Sequence, residues 1–212
     1  MTIKKNIEKI IKEIGIAKLI CVTKTVSSDK INEAIIAGAK EIGESRIQEF
    51  EEKCEALMPC KKHMIGHLQR GKVKKAVKFF DCIQSVDSIK LASEIDRHSK
   101  SIQKIQSVFI QINIGEEPQK FGFSTEEIKN KILDFCVFKN ISVDGIMCIP
   151  PIGTNDEIRM YFKKMYILFE ELKKVNKENI KINELSMGMS RDYMIAIEEG
   201  STMVRIGSAI FQ

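Results

Sequence analysis

The feature that most constrains this chain is an alternation. Short apolar runs take turns with longer stretches whose apolar residues recur every three or four positions. The short runs fall at 19–25, 41–45, 63–68, 82–86, 107–114, 143–149, 183–187 and 202–210. Between them, helical patterns occupy 28–39, 47–57, 71–79, 88–98, 125–138, 156–176 and 191–199. Runs rich in β-branched residues and bounded by turn residues read as strands, and a period near 3.6 reads as helix. Gly38, Ser124-Thr125 and Gly200 supply caps and stops at the handovers. Strict β–α alternation calls for a parallel sheet with helices outside. Eight strands in 212 residues, with no Gly-rich turn after the first, predict a closed (β/α)8 TIM barrel rather than an open doubly wound sheet.

No linker, low-complexity segment or repeat interrupts the pattern, so residues 1–212 are expected to form one domain. Ile3, Ile7, Ile10, Ile11 and Ile14 recur at helical spacing and predict an additional N-terminal helix. That helix is expected to fill the place of the eighth outer helix, because no helical pattern is visible after Phe211. Charges interrupt the same stretch and exclude the apolar core of a signal peptide. No run approaches the length of a membrane span. The six cysteines show no C-x-x-C pairing, which fits reduced, packed thiols in a cytoplasmic protein. The net charge of +5 favours small anions without demanding nucleic acid.

Lys24 breaks the first apolar run. Alternation sets Ile20, Val22 and Lys24 on one face, and an ammonium on a core-facing row is costly unless paired, neutralised or used in chemistry. The competing reading is a strand-end lysine snorkelling to water. In the last run, Met203, Arg205 and Gly207 share a face, and a guanidinium there needs an acceptor because it cannot shed its charge. Gly207-Ser208 offers approachable backbone amides and a hydroxyl. Ser190 is expected to cap the 191–199 helix, leaving amides for an anion. The C-terminal ends of barrel strands are where such folds keep their chemistry, with phosphate sites recurring at the final strands. Lysine, arginine and a two-part phosphate cradle specify a ligand with an aldehyde, an acceptor nitrogen and a phosphate. Pyridoxal 5′-phosphate has all three.

The segments "VTKT", "IGESRIQE", "HMIGHLQRGK", "IQINIGEEPQKFG", "DGIMCIPP", "LSMGMSRDY" and "GSTMVRIGSAIF" give the chain a close resemblance, over nearly its whole length, to the pyridoxal phosphate homeostasis proteins. That family is similar to the barrel domain of alanine racemase standing alone. The resemblance implies that Lys24 forms the internal aldimine, that Arg205 faces the pyridine nitrogen, and that Ser190, Gly207 and Ser208 hold the phosphate. It also implies a carrier that buffers the cofactor or delivers it to apo-enzymes. Two segments depart from the family pattern. Gly43-Glu44-Ser45-Arg46 stands where Gly-Glu-Asn-Tyr is usual, and "HLQRGK" replaces a Ser-Asn before Lys72.

Two enzymatic alternatives remain. Racemisation needs a second acid–base group, which alanine racemases take as a tyrosine from an additional domain of a partner subunit. Tyr193 is the one tyrosine near the expected pocket. A Schiff-base lyase would want a carboxylate near Lys24, with Glu44 as candidate. His63 is expected to be packed and His67 to line the pocket. On a strand they lie roughly 13 Å apart, too far to share a metal. The lysines of "RGKVKKAVKFF" are expected on a solvated helix face. No long apolar helix face asks for a partner, so a monomer is expected.

Overall fold

The alternation closes on itself. A computed structural model describes residues 2–212. Its first strands are β1 (Lys18–Val22), β2 (Glu41–Glu44), β3 (Lys61–Met64), β4 (Cys82–Val86), β5 (Gln106–Ile112) and β6 (Ile141–Cys148). They lie side by side in parallel. A two-residue strand, β7 (Asn176–Lys177), forms a hairpin with the start of β8 (Ile180–Met189). The last strand, β9 (Met203–Ile206), joins β8 to β1, and pairing of β6 with β8 closes the eight-stranded barrel.

Helices wrap the outside. After the N-terminal α1 (Ile3–Ile14) come α2 (Ser28–Ile36), α3 (Ile47–Lys53), α4 (Val73–Phe79) and α5 (Ile89–Ser101). They are followed by α6 (Thr125–Lys131), α7 (Asn155–Leu172), α8 (Tyr193–Glu198) and the one-turn α9 (Ser208–Phe211). α1 starts at Thr2, whose hydroxyl accepts from the Lys5 amide, and stops at Gly15 with φ of 61°. It packs against α2, β1, α8 and α9, with the Asn6 amide donating to the Ile210 carbonyl at 3.0 Å. α1 thus takes the position in the outer ring that the sequence left vacant.

Two expected helices give way to a 3-10 segment in their C-terminal part. The 47–57 pattern breaks into α3 and a 3-10 turn at Cys54–Ala56, and the 125–138 pattern into α6 and a 3-10 run at Ile132–Val137. Ile132 and Phe135 are the buried residues of that run, a spacing of three that a three-residue period keeps on one face.

The barrel has two cores. Outward-facing residues such as Cys21, Ile42 and Ile83 pack under the helices, each buried isoleucine contributing about 1.5–3 kcal/mol. Inside, Ile20, Cys82, Phe109, Met147 and Met203 form an apolar plug. At the N-terminal end, Lys18 pairs with Glu184. The lysine-rich α4 buries Val73, Ala76 and Val77, while Lys75 pairs with Glu51 at 2.6 Å. Among the described residues no helix is long and apolar enough to cross a membrane.

Candidate ligand-binding site at the barrel mouth

The plug stops short of the C-terminal strand ends, and above it lies a cavity of about 1040 Å³. Its walls are the segments leaving β1, β2, β3, β6, β8 and β9, as a barrel of this kind predicts. Lys24, Arg205, Ser190, Gly207 and Ser208 all line it. Lys24, Lys30, Arg191 and Arg205 bring positive charge to the lining, against the single acidic side chain of Asp192. The balance favours an anionic ligand.

Lys24 is placed differently from its predicted strand position. β1 ends at Val22, so Lys24 sits two residues beyond it and is exposed at the cavity wall. Thr25 follows with φ of 61°, unusual for a β-branched residue, which turns the chain out of the strand. The lysine drawn inward in this region is Lys53, whose side chain is 10% exposed. Its ammonium meets Glu44 at 2.7 Å and Glu49 at 3.2 Å, and donates to the Thr23 carbonyl at 2.8 Å and the Val26 carbonyl at 3.4 Å. Glu49 in turn accepts the Thr25 amide. One ion cluster therefore grips the backbone on both sides of Lys24. Glu44 is fully buried in that cluster and accepts from Ser45 N at 2.8 Å, so it is not a free carboxylate beside Lys24.

Arg205 is 3% exposed, and its position on β9 opposite Ile20 of β1 sets it on the inner face. Nη1 donates to Ser186 Oγ at 2.7 Å and Nη2 to the Cys148 carbonyl at 2.8 Å. Burial pulls the guanidinium below its ordinary pKa, and the charge of Asp192 opposes that shift. Asp192 is itself raised by burial, against the Met189 amide and the Arg205 charge that hold it down.

Ser190 does not cap the helix after it. That helix begins only at Tyr193, with Asp192 at its N-cap and no side-chain cap. Asp192 instead accepts from the Met189 amide at 2.6 Å. Ser190 Oγ reaches across to β9, accepting from the Gly207 amide at 3.3 Å and the Ala209 amide at 3.5 Å. The two halves of the expected cradle are thereby joined. A Cβ on Gly207 would lie 3.2 Å from Val22 Cβ and Val22 O, so glycine is what lets β9 and β1 approach here.

His67 belongs elsewhere. It stacks on Phe121 with centroids 3.6 Å apart and lines a separate cleft of about 580 Å³ with Arg70 and Lys120. His63 is packed as expected, with Nε2 2.7 Å from Glu41 and Nδ1 3.0 Å from Gln84. Tyr193 donates its hydroxyl to Glu13 of α1 on the outer surface. Ser45, at the position where the family pattern has an amide, lines the cavity, while Arg46 is exposed.

Cys148 and Ser186 fall at strand ends where the sequence points to the barrel mouth, but nothing in the sequence shows that they hold Arg205. Glu49 and Lys53 are four apart on a helix, a spacing that announces a pair but not its burial.

Fold and site together define a (β/α)8 barrel whose mouth presents a lysine, an arginine and a serine–glycine anion cradle. The family model for the alanine racemase N-terminal domain matches residues 1–212. A pyridoxal phosphate homeostasis protein of Aquifex aeolicus is 40% identical over 92% of this chain and 86% of its own length. A protein of the same name from Synechocystis is 36% identical over 92% of this chain and 90% of its own. The structure of PipY from Synechococcus elongatus, solved without and with pyridoxal phosphate bound, covers all of both chains at 30% and 29% identity with TM-scores of 0.92 and 0.90. The chain belongs to the alanine racemase N-terminal domain family, within its branch of pyridoxal phosphate homeostasis proteins.

Proposed function

We propose that this protein binds pyridoxal 5′-phosphate at the barrel mouth and serves to store it and hand it on. One observation carries the reading: Lys24, Arg205 and the Ser190–Gly207 cradle line a single cavity whose side chains carry more positive than negative charge. The residues fit the ligand group by group. Lys24 offers an exposed amine to the aldehyde; a C=N bond forms between them and water leaves. Arg205 lines the cavity, and beyond the two N–H groups given to Ser186 and the Cys148 carbonyl its guanidinium has further donors, suiting an unprotonated ring nitrogen. Ser190, the Gly207 amide and Ser208 form the phosphate end.

When bound, the cofactor supplies an electron sink, which a hydrogen bond from an arginine weakens by leaving the ring nitrogen uncharged. The protein's own groups do little toward catalysis. Racemisation requires a second proton-transferring group across the substrate carbon, and the Tyr193 hydroxyl is engaged with Glu13 away from the cavity. Carrier duty, an intracellular place, apo-enzymes as recipients, action as one domain and a monomeric state form one coherent reading.

The test loads the protein with pyridoxal phosphate, removes free ligand, and mixes it with an apo-enzyme that depends on this cofactor. Reactivation should proceed, and the loaded protein alone should leave the enantiomer ratio of L-alanine unchanged. Steady racemisation or turnover of amino acids by the loaded protein would contradict the carrier reading.

A further inference from the structure

Beneath the cavity floor a line of polar side chains crosses the apolar plug. Arg205 Nη1 meets Ser186 Oγ at 2.7 Å, Ser186 Oγ meets Gln84 Oε1 at 2.8 Å, Gln84 Nε2 meets His63 Nδ1 at 3.0 Å, and His63 Nε2 meets Glu41 Oε2 at 2.7 Å. The five residues come from five strands: β9, β8, β4, β3 and β2. Ser186, Gln84 and His63 are fully buried. Their surroundings include Met203, whose sulfur lies 3.2 Å from the Gln84 amide nitrogen.

The direction of every link follows from the first. A guanidinium only donates, so Ser186 Oγ accepts from Arg205. The one hydroxyl proton of Ser186 then goes to Gln84, which turns its carbonyl toward the serine. The Gln84 NH₂ therefore points at His63 Nδ1, which must carry a lone pair. The histidine proton sits on Nε2 and is donated to the Glu41 carboxylate. One orientation satisfies the whole chain, and it ends on an anion at the far end of the barrel.

Such a chain has a cost that apolar side chains of similar volume would avoid, since each buried polar group must stay paired. Its one end at the ligand cavity is Arg205. We propose that Gln84 and His63 are positioning residues for Arg205. By fixing the direction of the Ser186 O–H, they keep a Ser186 lone pair aimed at Nη1 and hold the guanidinium plane so that its remaining N–H groups face the ring nitrogen of the bound ligand. This inference rests on the pyridoxal phosphate reading and concerns residues that do not touch the ligand.

The experiment compares two ligands on the wild type and on Gln84→Leu. One is pyridoxal 5′-phosphate; the other is the carbocyclic analogue with CH in place of the ring nitrogen. Both keep the aldehyde and the phosphate. Wild type should prefer the nitrogen ligand by about tenfold or more, the scale of a hydrogen bond to a charged donor. Gln84→Leu should erase most of that preference while leaving the affinity for the carbocyclic analogue nearly unchanged. A general packing defect would weaken both ligands by the same factor, and that result, or an unchanged preference, overturns the proposal. So does a wild type with no preference. If Gln84→Leu does not fold, His63→Gln, one link further from Arg205, takes its place and should narrow the preference in the same direction. Failure of the wild type to bind pyridoxal phosphate at all would instead refute the functional reading beneath it.

Discussion

Replacing Lys53 with methionine would leave Glu44 without the one cationic partner it has among the described residues. The two side chains are 10% and 1% exposed and 2.7 Å apart, so the carboxylate cannot recover much water. Its remaining donors are the Ser45 amide and the Thr23 hydroxyl, the latter at 3.3 Å. Stranding one member of a buried ion pair costs about 3–5 kcal/mol. At this chain length that lowers Tm by roughly 6–20 °C, taking about 2–4 °C per kcal/mol. The lost grip on the Thr23 and Val26 carbonyls also frees the turn that carries Lys24, so ligand affinity should fall with stability. Circular dichroism melts of Lys53→Met, Glu44→Gln and the double variant form a cycle. The double variant should be more stable than Lys53→Met alone, because it removes the orphaned charge. A Tm for Lys53→Met within a degree or two of wild type would refute this reasoning, as would a double variant worse than the sum of the singles.

Burial pushes the thiols of Cys21, Cys82 and Cys148 up to about 12, so at pH 8 a native-state thiol assay should count no more than Cys54, Cys60 and Cys136, and all six after denaturation. Glu41 is held below the usual carboxylate range: burial acts to raise it, but the His63 hydrogen bond and the charges of Lys61 and Lys18 prevail. Its folded value being the lower one, its stabilisation is present above the unfolded value of about 4.5 and is lost as pH falls through the folded value. Urea titrations of wild type against Glu41→Gln should therefore diverge least at the acid end and most near neutrality. Gly207→Ala drives a methyl against Val22, pushing β9 from β1 beside the anion cradle, costing about 1–3 kcal/mol of stability and weakening pyridoxal phosphate binding in an absorbance titration. Tyr193→Phe should leave that titration unchanged while lowering Tm slightly, since its hydroxyl serves the Glu13 contact with α1.

The fold was legible because period carries it. Strand positions 82–86 coincide with β4, and the alternation alone implied the parallel order that the β6–β8 pairing completes. The hairpin strand β7 was not legible, because two exposed residues, Asn176 and Lys177, leave no periodic trace. Of the site, all five predicted residues line one cavity, because strand-end positions in a closed barrel converge whatever the exact ends. Their local partners were harder to foresee. Ser190 was expected to serve its own chain neighbours and instead bonds amides 17 and 19 residues away, a link that only the β8–β9 register creates. His67 lies beyond the end of β3 and leaves the cavity by stacking on Phe121, a residue of a loop with no sequence signal pointing to it. The paired ammonium expected at Lys24 turned out to belong to Lys53, because β1 ends three residues early, at Val22, and the helix after β2 delivers its lysine underneath.

The most direct test of the account is a titration of the purified protein with pyridoxal 5′-phosphate, followed in the near-visible spectrum beside Lys24→Ala, then borohydride reduction and peptide mapping. The account predicts a saturable band in the wild type, none in the variant, and the reduced label on Lys24. A band that persists in Lys24→Ala, or a label found on Lys30 or Lys53 instead, would contradict it.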